Sequence, residues 1–388
     1  MIEFKNVSKQ FPAGFRAVEN LNLTVRRGEL CVLIGPSGCG KTTTMRMVNR
    51  LIAPSSGHIL IEGVDNATLA EEDLRRKIGY AIQQIGLFPH MTVAENIAVV
   101  PKLLHWEEDR IRHRVDELLA LVGLDPELYR NQYPRQLSGG QQQRVGVARA
   151  LGADPPIMLM DEPFGAVDPI TRATLQDEFL QIQSTVGKTI IFVTHDIDEA
   201  IRMGDRIAVM RDGKLVQYET PDNLLAAPVD RFVRDFVGAD RQLKRLGLIP
   251  VSDVMNTDPP RVFITDTLEA ATEQFTRHNV KSVFVVDKRD HVLRGWLDRE
   301  QMRTGRSLID AMHEGNVHDI AVRETASVRD ALSVMVTRSF RVTPVVDKQG
   351  RLKGSITLNA LQEIIQSRAA DATNGDGVEL GTTAESRP

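Results

Sequence analysis

Aromatic residues are scarce in this 388-residue sequence: Phe, Trp and Tyr together make 5% of it. So few rings leave little for the stacking platforms that hold single-stranded nucleic acids. A basic excess is also missing, because 48 Lys and Arg face 52 Asp and Glu for a formal charge of −4. Nucleic-acid binders usually carry such an excess, so none is expected as a partner. Cysteine is limited to Cys31 and Cys39. The start, Met1-Ile2-Glu3-Phe4-Lys5, lacks the basic-then-apolar layout of a signal peptide. A structural disulfide is therefore not expected, and a reducing cytosol is the natural setting. No run approaches the roughly 18 consecutive apolar residues of a membrane-spanning helix. These absences argue against an embedded or secreted protein, while leaving room for one that docks on a membrane protein.

What is present is an ordinary globular composition, 42% apolar and 26% charged, long enough for two or three domains. Up to about residue 235 the chain alternates strand and helix. Apolar runs at 29–34, 157–160, 189–193 and 206–210 read as strands, and 107–122 has apolar residues at helical spacing. That alternation predicts an α/β domain with a mainly parallel sheet. Residues 228–246 place Arg231, Arg234 and Asp235 around Phe232, Val233 and Phe236, as a charged amphipathic helix or a linker would. From 251 to 365 the chain repeats. Val283-Phe284-Val285-Val286-Asp287-Lys288 aligns with Thr343-Pro344-Val345-Val346-Asp347-Lys348, and Leu293-Arg294-Gly295-Trp296-Leu297 with Leu352-Lys353-Gly354-Ser355-Ile356. Each unit reads helix, strand, turn, strand, helix, and two such units are expected to pack on each other. The stretch 369–388 has no apolar periodicity and reads as a disordered acidic tail.

Gly35-Pro36-Ser37-Gly38-Cys39-Gly40-Lys41-Thr42 fits the G-x-x-x-x-G-K-[ST] phosphate loop. It follows an apolar strand and precedes a helical segment at 43–51 that starts with Thr43, which is the context the motif needs. Backbone N–H groups and the helix start would cradle phosphate oxygens. Lys41 supplies a point charge to the β- and γ-phosphates, and the Thr42 hydroxyl is a candidate Mg²⁺ ligand. Ile157-Met158-Leu159-Met160-Asp161-Glu162 is an apolar strand ending in two carboxylates. Asp161 is the second candidate Mg²⁺ ligand, and Glu162 the candidate general base toward water.

Leu137-Ser138-Gly139-Gly140-Gln141 resembles the signature of ATP-binding-cassette (ABC) ATPases. The resemblance covers about residues 1–235. It implies that ATP is sandwiched between two subunits, with Ser138, Gly139, Gly140 and Gln141 facing the γ-phosphate held by the opposite copy. Phe11 resembles the aromatic that stacks on adenine. Gln83 resembles the glutamine that senses Mg²⁺ and the coupling interface, with Gln84 as the competing assignment. Asp168 resembles the aspartate that crosses the dimer, where Val167 replaces the commoner leucine. His195 resembles the switch histidine on the γ-phosphate. The implied reaction is ATP hydrolysis with ATP and Mg²⁺ as cofactors. The implied place is the cytoplasmic face of the membrane, beside permease subunits and a substrate-binding protein or domain. Phe88-Pro89-His90-Met91-Thr92-Val93 is the expected docking surface, with ordinary core as the alternative.

Met47-Val48-Asn49-Arg50-Leu51-Ile52 and the stretch from Ile82 to Val93 resemble the branch that imports glycine betaine, proline and related quaternary amines. The tandem repeat resembles the CBS pair which that branch appends. The expected architecture is thus a P-loop ABC-type ATPase domain at 1–237 and a linker at 238–250. CBS repeats at 251–306 and 307–366, of α+β type, and the tail at 367–388 follow. The alternatives are an importer of another small solute, a non-transport ABC ATPase or a nucleotide-sensing regulatory protein. The usual adenosine-contacting pattern of CBS repeats ends in aspartate, but Gln301 and Ala360 stand there, and Asp298 occupies a hydroxyl position. In the second repeat, Arg338, Arg341, Lys348, Arg351 and Lys353 face Asp347 alone. Such a basic stretch reads either as a solvated face or as a dock for anionic lipid that rising ionic strength would release. A nucleotide between paired subunits is the other ligand considered for this module.

Overall fold

The computed structural model describes residues 1–364, apart from 13, 82–85, 166, 301, 303–306 and 314–316. Gln83, Gln84, Gln301 and the tail expected at 367–388 lie outside the described residues. Two units emerge: residues 1–224 with 228–237, and residues 225–227 with the chain from 238 onward.

The first unit is built on a six-stranded sheet in the order β10-β9-β3-β8-β7-β6. Its strands are β3 (Leu30–Ile34), β6 (Ile78–Ala81), β7 (Ile157–Asp161), β8 (Thr189–Val193), β9 (Arg206–Arg211) and β10 (Lys214–Glu219). All neighbours run parallel except β10, which is antiparallel to β9 at the edge. Every residue of β3, β7 and β8 is buried, which is why these strands read as unbroken apolar runs rather than as alternation. The four strands expected from the sequence appear within a residue of their expected ends.

A second, antiparallel sheet was not legible in that way. It comprises β1 (Ile2–Gln10), β2 (Arg16–Val25), β4 (Ser56–Ile61) and β5 (Val64–Asp65), in the order β2-β1-β4-β5. Its pairing register shifts within β1, between Phe4 and Val7 and again by Lys9, which blurs the two-residue period. One core joins both sheets. Ile2, Phe4, Leu21 and Val25 meet Met45, Met47 and Val48 of the helix Lys41–Val48, and Leu33, Ile191 and Val193 of the parallel sheet.

The helices Val93–Leu103 and Gly139–Leu151 pack together. The first is started by a capping box in which Thr92 and Glu95 satisfy each other's backbone N–H groups. No helix among the described residues is long and apolar enough to cross a membrane.

The second unit holds two three-stranded sheets, β11-β12-β13 and β14-β15-β16. The strands are β11 (Arg261–Phe263), β12 (Ser282–Val286), β13 (Leu293–Asp298), β14 (Val322–Arg323), β15 (Val342–Val346) and β16 (Leu352–Thr357). In each sheet the first strand is parallel to the second and the third antiparallel. The helices Leu268–Arg277 and Val328–Arg338 start at matching hydroxyl caps, Thr267 and Ser327. The expected repeat pattern omitted β11 and β14, which at three and two residues are too short to show alternation.

The repeats exchange their lead-in segments. Asn256 pairs with Ser355 of the second sheet, and His313 with Trp296 of the first. Leu246, Ile249 and Val251 enter the core of the second repeat with Val322, Val328 and Ile356. Leu308 and Ala311 enter the core of the first repeat with Val262, Phe275 and Leu297. The stretch 238–250, expected as a linker, is instead packed structure: Arg241–Leu246 is helical, and Val328 N–H donates to Ile249 C=O at 2.9 Å. Leu246 and Ile249 are buried, and so are two of the charged residues, Lys244 and Arg245, so charge in this stretch did not mark exposure.

Candidate functional site

Three adjacent parallel strands, β3, β8 and β7, end side by side. At the carboxyl ends of such strands ligands bind in open α/β sheets. β3 runs into Gly35, β7 ends on Asp161 and is followed by Glu162, and β8 is followed by Thr194 and His195. Four of the residues singled out from the sequence, Gly35, Asp161, Glu162 and His195, are thus gathered by topology alone.

Pro36, Ser37 and Gly38 are exposed at the tip of the glycine loop, while Cys39, Gly40 and Lys41 are buried beneath it. The Lys41 ammonium donates to the carbonyl oxygens of Gly35 at 2.7 Å and Pro36 at 3.0 Å. It thereby closes the loop around itself and places its charge at the mouth. Burial pushes the Cys39 thiol up, against the pull of the neighbouring Lys41 charge. No acidic residue stands in the first turn of Lys41–Val48, so its positive end is not neutralised from within. Thr43 follows in the same turn.

The Thr42 hydroxyl donates to Asp161 Oδ1 at 3.0 Å, and Arg46 lies 3.8 Å from Asp161 Oδ2. Burial raises the Asp161 carboxyl above the ordinary range; Thr42 and Arg46 oppose that shift. Arg46 is one residue that sequence reasoning missed, and its place one turn past Thr42 on the same helix was the available signal. No cluster of three or more His, Cys, Asp or Glu able to hold a metal occurs among the described residues. One buried carboxylate beside one hydroxyl is what a Mg²⁺ site completed by water and phosphate requires, and a closed protein cage is not. Asp161 and Thr42 fit that ion.

Glu162 has φ +45°, a left-handed conformation rare for a side chain of its size, and its N–H is held by Val193 C=O at 2.9 Å. The turn lifts its carboxylate out of the sheet toward His195, whose Nδ1 lies 3.2 Å from Glu162 Oε2. Glu162 is largely covered and His195 is 66% exposed. The pair therefore sits at the boundary between site and solvent.

The remaining candidates are placed by other elements of the unit. Ser138 is the exposed N-cap of Gly139–Leu151; its hydroxyl accepts from Gln141 N–H at 3.3 Å, and Gln141 Oε1 accepts from Ser138 N–H at 2.9 Å. Gly139 and Gly140 form the first turn, so the signature is an open helix N-terminus. Asp168 caps Pro169–Val186, accepting from Thr171 N–H at 3.1 Å. Phe11 is half-buried, with the Lys9 ammonium 5.3 Å from its ring centre. Phe15 in the same turn is 57% exposed, and its carbonyl accepts from Phe11 N–H, so a second ring is presented that the sequence reading did not weigh.

The expected docking stretch is surface from Phe88 to His90, and it runs into the core at Val93. Phe88 is 39% exposed, edge-on to His90 at 6.0 Å, with the Arg149 guanidinium 5.9 Å from its ring centre. Buried Asn96 ties the stretch down by donating to Phe88, Met91 and Thr92 carbonyls and accepting from Phe88 N–H. Arg149, at the far end of the signature helix, donates to Gly86 C=O. A cavity of about 260 Å³ lined by Tyr80, Phe88, Val99, Val100 and Arg149 opens beside it.

The basic stretch of the second repeat is not one patch. Arg338 pairs with Asp319 at 3.0 Å, and Arg351 approaches Asp347 at 3.9 Å. The five residues of β15 separate Arg341 from Lys348, about 15 Å or more along the strand. That exceeds the roughly 8 Å screening length of physiological salt, so the two groups act independently. Lys348, Arg351 and Lys353 share the hairpin end, where the backbone N–H groups of Arg351 and Gln349 and the charges of Arg351 and Lys353 hold the Asp347 carboxyl below its usual range. In the first repeat, Asp298 accepts from the Ser282 hydroxyl at 2.5 Å and meets His313 Nε2 at 3.0 Å. The ring of His313 stacks on Trp296.

The buried Asp161 predicts an opposite response of stability and activity. A carboxyl raised above its unfolded value stabilises the fold only below that raised value, and its ionised form opposes folding as pH climbs. Without nucleotide and with chelator, Asp161→Asn is expected to raise the thermal midpoint at pH 7.5. On adding ATP with Mg²⁺, the same variant is expected to gain less in midpoint than the native chain. A lowered midpoint in differential scanning fluorimetry would contradict it.

The ABC transporter family model matches residues 18–165, and the CBS domain model matches 251–304 and 311–367. The glycine betaine/carnitine/choline transport ATP-binding protein of Bacillus subtilis is 47% identical over 369 residues, 94% of this chain and 96% of that protein. The osmoprotectant import ATP-binding protein of Salmonella typhimurium is 46% identical over 377 residues, 95% of this chain and 97% of that protein. A solved dimeric ATP-binding cassette in a post-hydrolysis state with ADP and Pi matches with TM-score 0.52 and 35% identity. It covers 57% of this chain and 99% of its own. Likeness to the two transport proteins spans both units, and the phosphate loop, Asp161-Glu162 pair and signature helix stand where a cassette needs them; the chain belongs to the ABC transporter family, as an ATPase with an appended CBS pair.

Proposed function

We propose that the chain energises import of glycine betaine or a related quaternary-amine or proline osmoprotectant, with its CBS pair regulating that work. The observation that carries the ATPase half is the convergence of three strand ends, which sets Thr42 3.0 Å from Asp161 and Glu162 3.2 Å from His195. The glycine loop and Lys41 would bind the β- and γ-phosphates of ATP. Thr42 and Asp161 would hold Mg²⁺, which when bound neutralises charge on those phosphates. Glu162 would orient a water in line with the γ-phosphorus and accept its proton, so that the bond to ADP breaks as the bond to water forms. His195 would donate toward the γ-phosphate oxygens.

Phe11 would stack on adenine, and Gln83, outside the described residues, would report on the ion. Ser138 and Asp168, both exposed at helix starts, would complete the site from a second copy of this chain. The assembly would then be a homodimer closed by two ATP molecules. The Phe88 surface would receive the permease, and the Arg149 bond to Gly86 would link it to the signature helix.

The substrate half rests on the resemblance to transport proteins named for betaine, carnitine and choline, since no residue in the cassette reads the solute. The chain co-purified with its permease and binding component in lipid vesicles is expected to hydrolyse ATP faster when glycine betaine is supplied. Carnitine, choline and proline are the comparison arms. Robust hydrolysis that no quaternary amine or proline stimulates would overturn the substrate while keeping the ATPase.

A further inference from the structure

Beneath His195 lies a polar network that none of the steps above uses. Glu199 and Gln176 are 7% and 5% exposed, and Gln176 Nε2 donates to Glu199 Oε1 at 3.0 Å. The Thr194 hydroxyl also bonds the Glu199 carboxylate, and it accepts from Asp196 N–H at 3.0 Å. Asp196 in turn caps the helix Ile197–Met203, accepting from Asp198 and Glu199 N–H at 2.9 and 3.2 Å. Thr194 and Asp196 are the two residues that flank His195.

The other end of the network leads to Asp168. Gln176 sits on Pro169–Val186, the helix that Asp168 caps. Arg172, one turn nearer the cap, donates to Val167 C=O at 3.0 Å and lies 3.7 Å from Asp196 Oδ2. The backbone on either side of His195 and the residue before Asp168 are therefore tied through the same few side chains. A shift of one loop alone would leave buried polar groups without partners, which is costly, whereas a joint shift would not.

We propose that Gln176 and Glu199 are a positioning pair that keeps His195 and Asp168 in register, so that the loop at one ATP site and the loop reaching the other site move together. The inference rests on the roles given above to His195 and Asp168. It adds a route by which the state of one site is felt at the second. The connection needs hydrogen bonds rather than charge. Burial raises the Glu199 carboxyl, and a neutral side chain of the same shape can accept from Gln176 while the Thr194 hydroxyl turns to accept from it.

The test uses the full-length chain, with steady-state ATP hydrolysis read as kcat, KM and Hill coefficient. Gln176→Leu is expected to lower kcat about tenfold, leave KM within about twofold and bring the Hill coefficient to about 1. Combined with His195→Ala it should add no further loss, since both act on one group. Glu199→Gln should stay within about threefold of the native chain, while Glu199→Ala follows Gln176→Leu. Thermal midpoints identify any variant that fails to fold; Gln176→Met then replaces Gln176→Leu, and the Glu199 pair reads independently of both. Unchanged kcat and Hill coefficient in a folded Gln176 variant would overturn the proposal. So would a loss fully additive with His195→Ala, or equal damage from Glu199→Gln and Glu199→Ala. Full turnover by His195→Ala alone would be a different failure, removing the role of His195 and the pair's action with it.

Discussion

Glu162→Gln is expected to cut ATP turnover by about 10²–10⁴-fold while ATP remains bound and holds the chain as a dimer. The amide matches the carboxylate in shape and keeps its reach to His195 Nδ1, 3.2 Å away, but it cannot take a proton from water. Asp161 cannot stand in, because it is buried and engaged by Thr42 at 3.0 Å. The left-handed backbone at Glu162 adds a structural argument. A side chain held at φ +45° costs about 1–3 kcal/mol, and the neighbouring strand maintains it through the bond from Glu162 N–H to Val193 C=O. That posture turns the carboxylate away from the sheet axis and toward the opening beside His195. Phosphate release and size-exclusion chromatography with ATP check the two halves of the expectation. Turnover within tenfold of the native chain would remove Glu162 as the base.

Gly40→Ala is expected to damage both fold and binding. Gly40 has φ +104°, and a methyl group there would come 2.2 Å from the carbonyl oxygen of Ala17. That oxygen belongs to the backbone of β2, so it cannot swing aside as a side chain would. Strain and collision together are expected to cost about 3 kcal/mol or more, or roughly 6–12 °C in thermal midpoint for a unit of this size. ATP affinity should fall at least about 100-fold, because the helix start and the loop N–H groups lose their alignment. Gly38→Ala is the internal control. Its φ is also positive, +79°, but no atom lies within 4 Å of the added methyl. It should cost only the conformational penalty, about 1–2 kcal/mol. Equal effects of the two substitutions on the midpoint would contradict the role given to Ala17.

Legibility in the sequence followed the physics of each element. β3, β7, β8 and β9 could be read because strands buried on both faces in a parallel sheet leave continuous apolar runs. The phosphate loop and Asp161-Glu162 could be read because their chemistry fixes residue types at short spacing. β1 and β2 hid behind register shifts, and β11 and β14 behind their brevity. Arg46 and the Gln176–Glu199 pair escaped notice because their partners lie far away in sequence, on other elements. The basic residues of the second repeat misled for the converse reason. Closeness in sequence suggested one patch, but a strand between Arg341 and Lys348 places them at opposite ends.

The exchanged lead-in segments of the CBS repeats bear on how such a module is inherited and engineered. A chain cut after the first repeat would strip Leu308 and Ala311 from that repeat's core, and would strand Leu246, Ile249 and Val251 with nothing to cover them. A half-module is thus not a smaller version of the whole but two broken cores. Gene fusion or deletion can add or remove the regulatory part in one step only as a pair. A swap of repeats between relatives has to carry the preceding dozen residues of the other copy along with it.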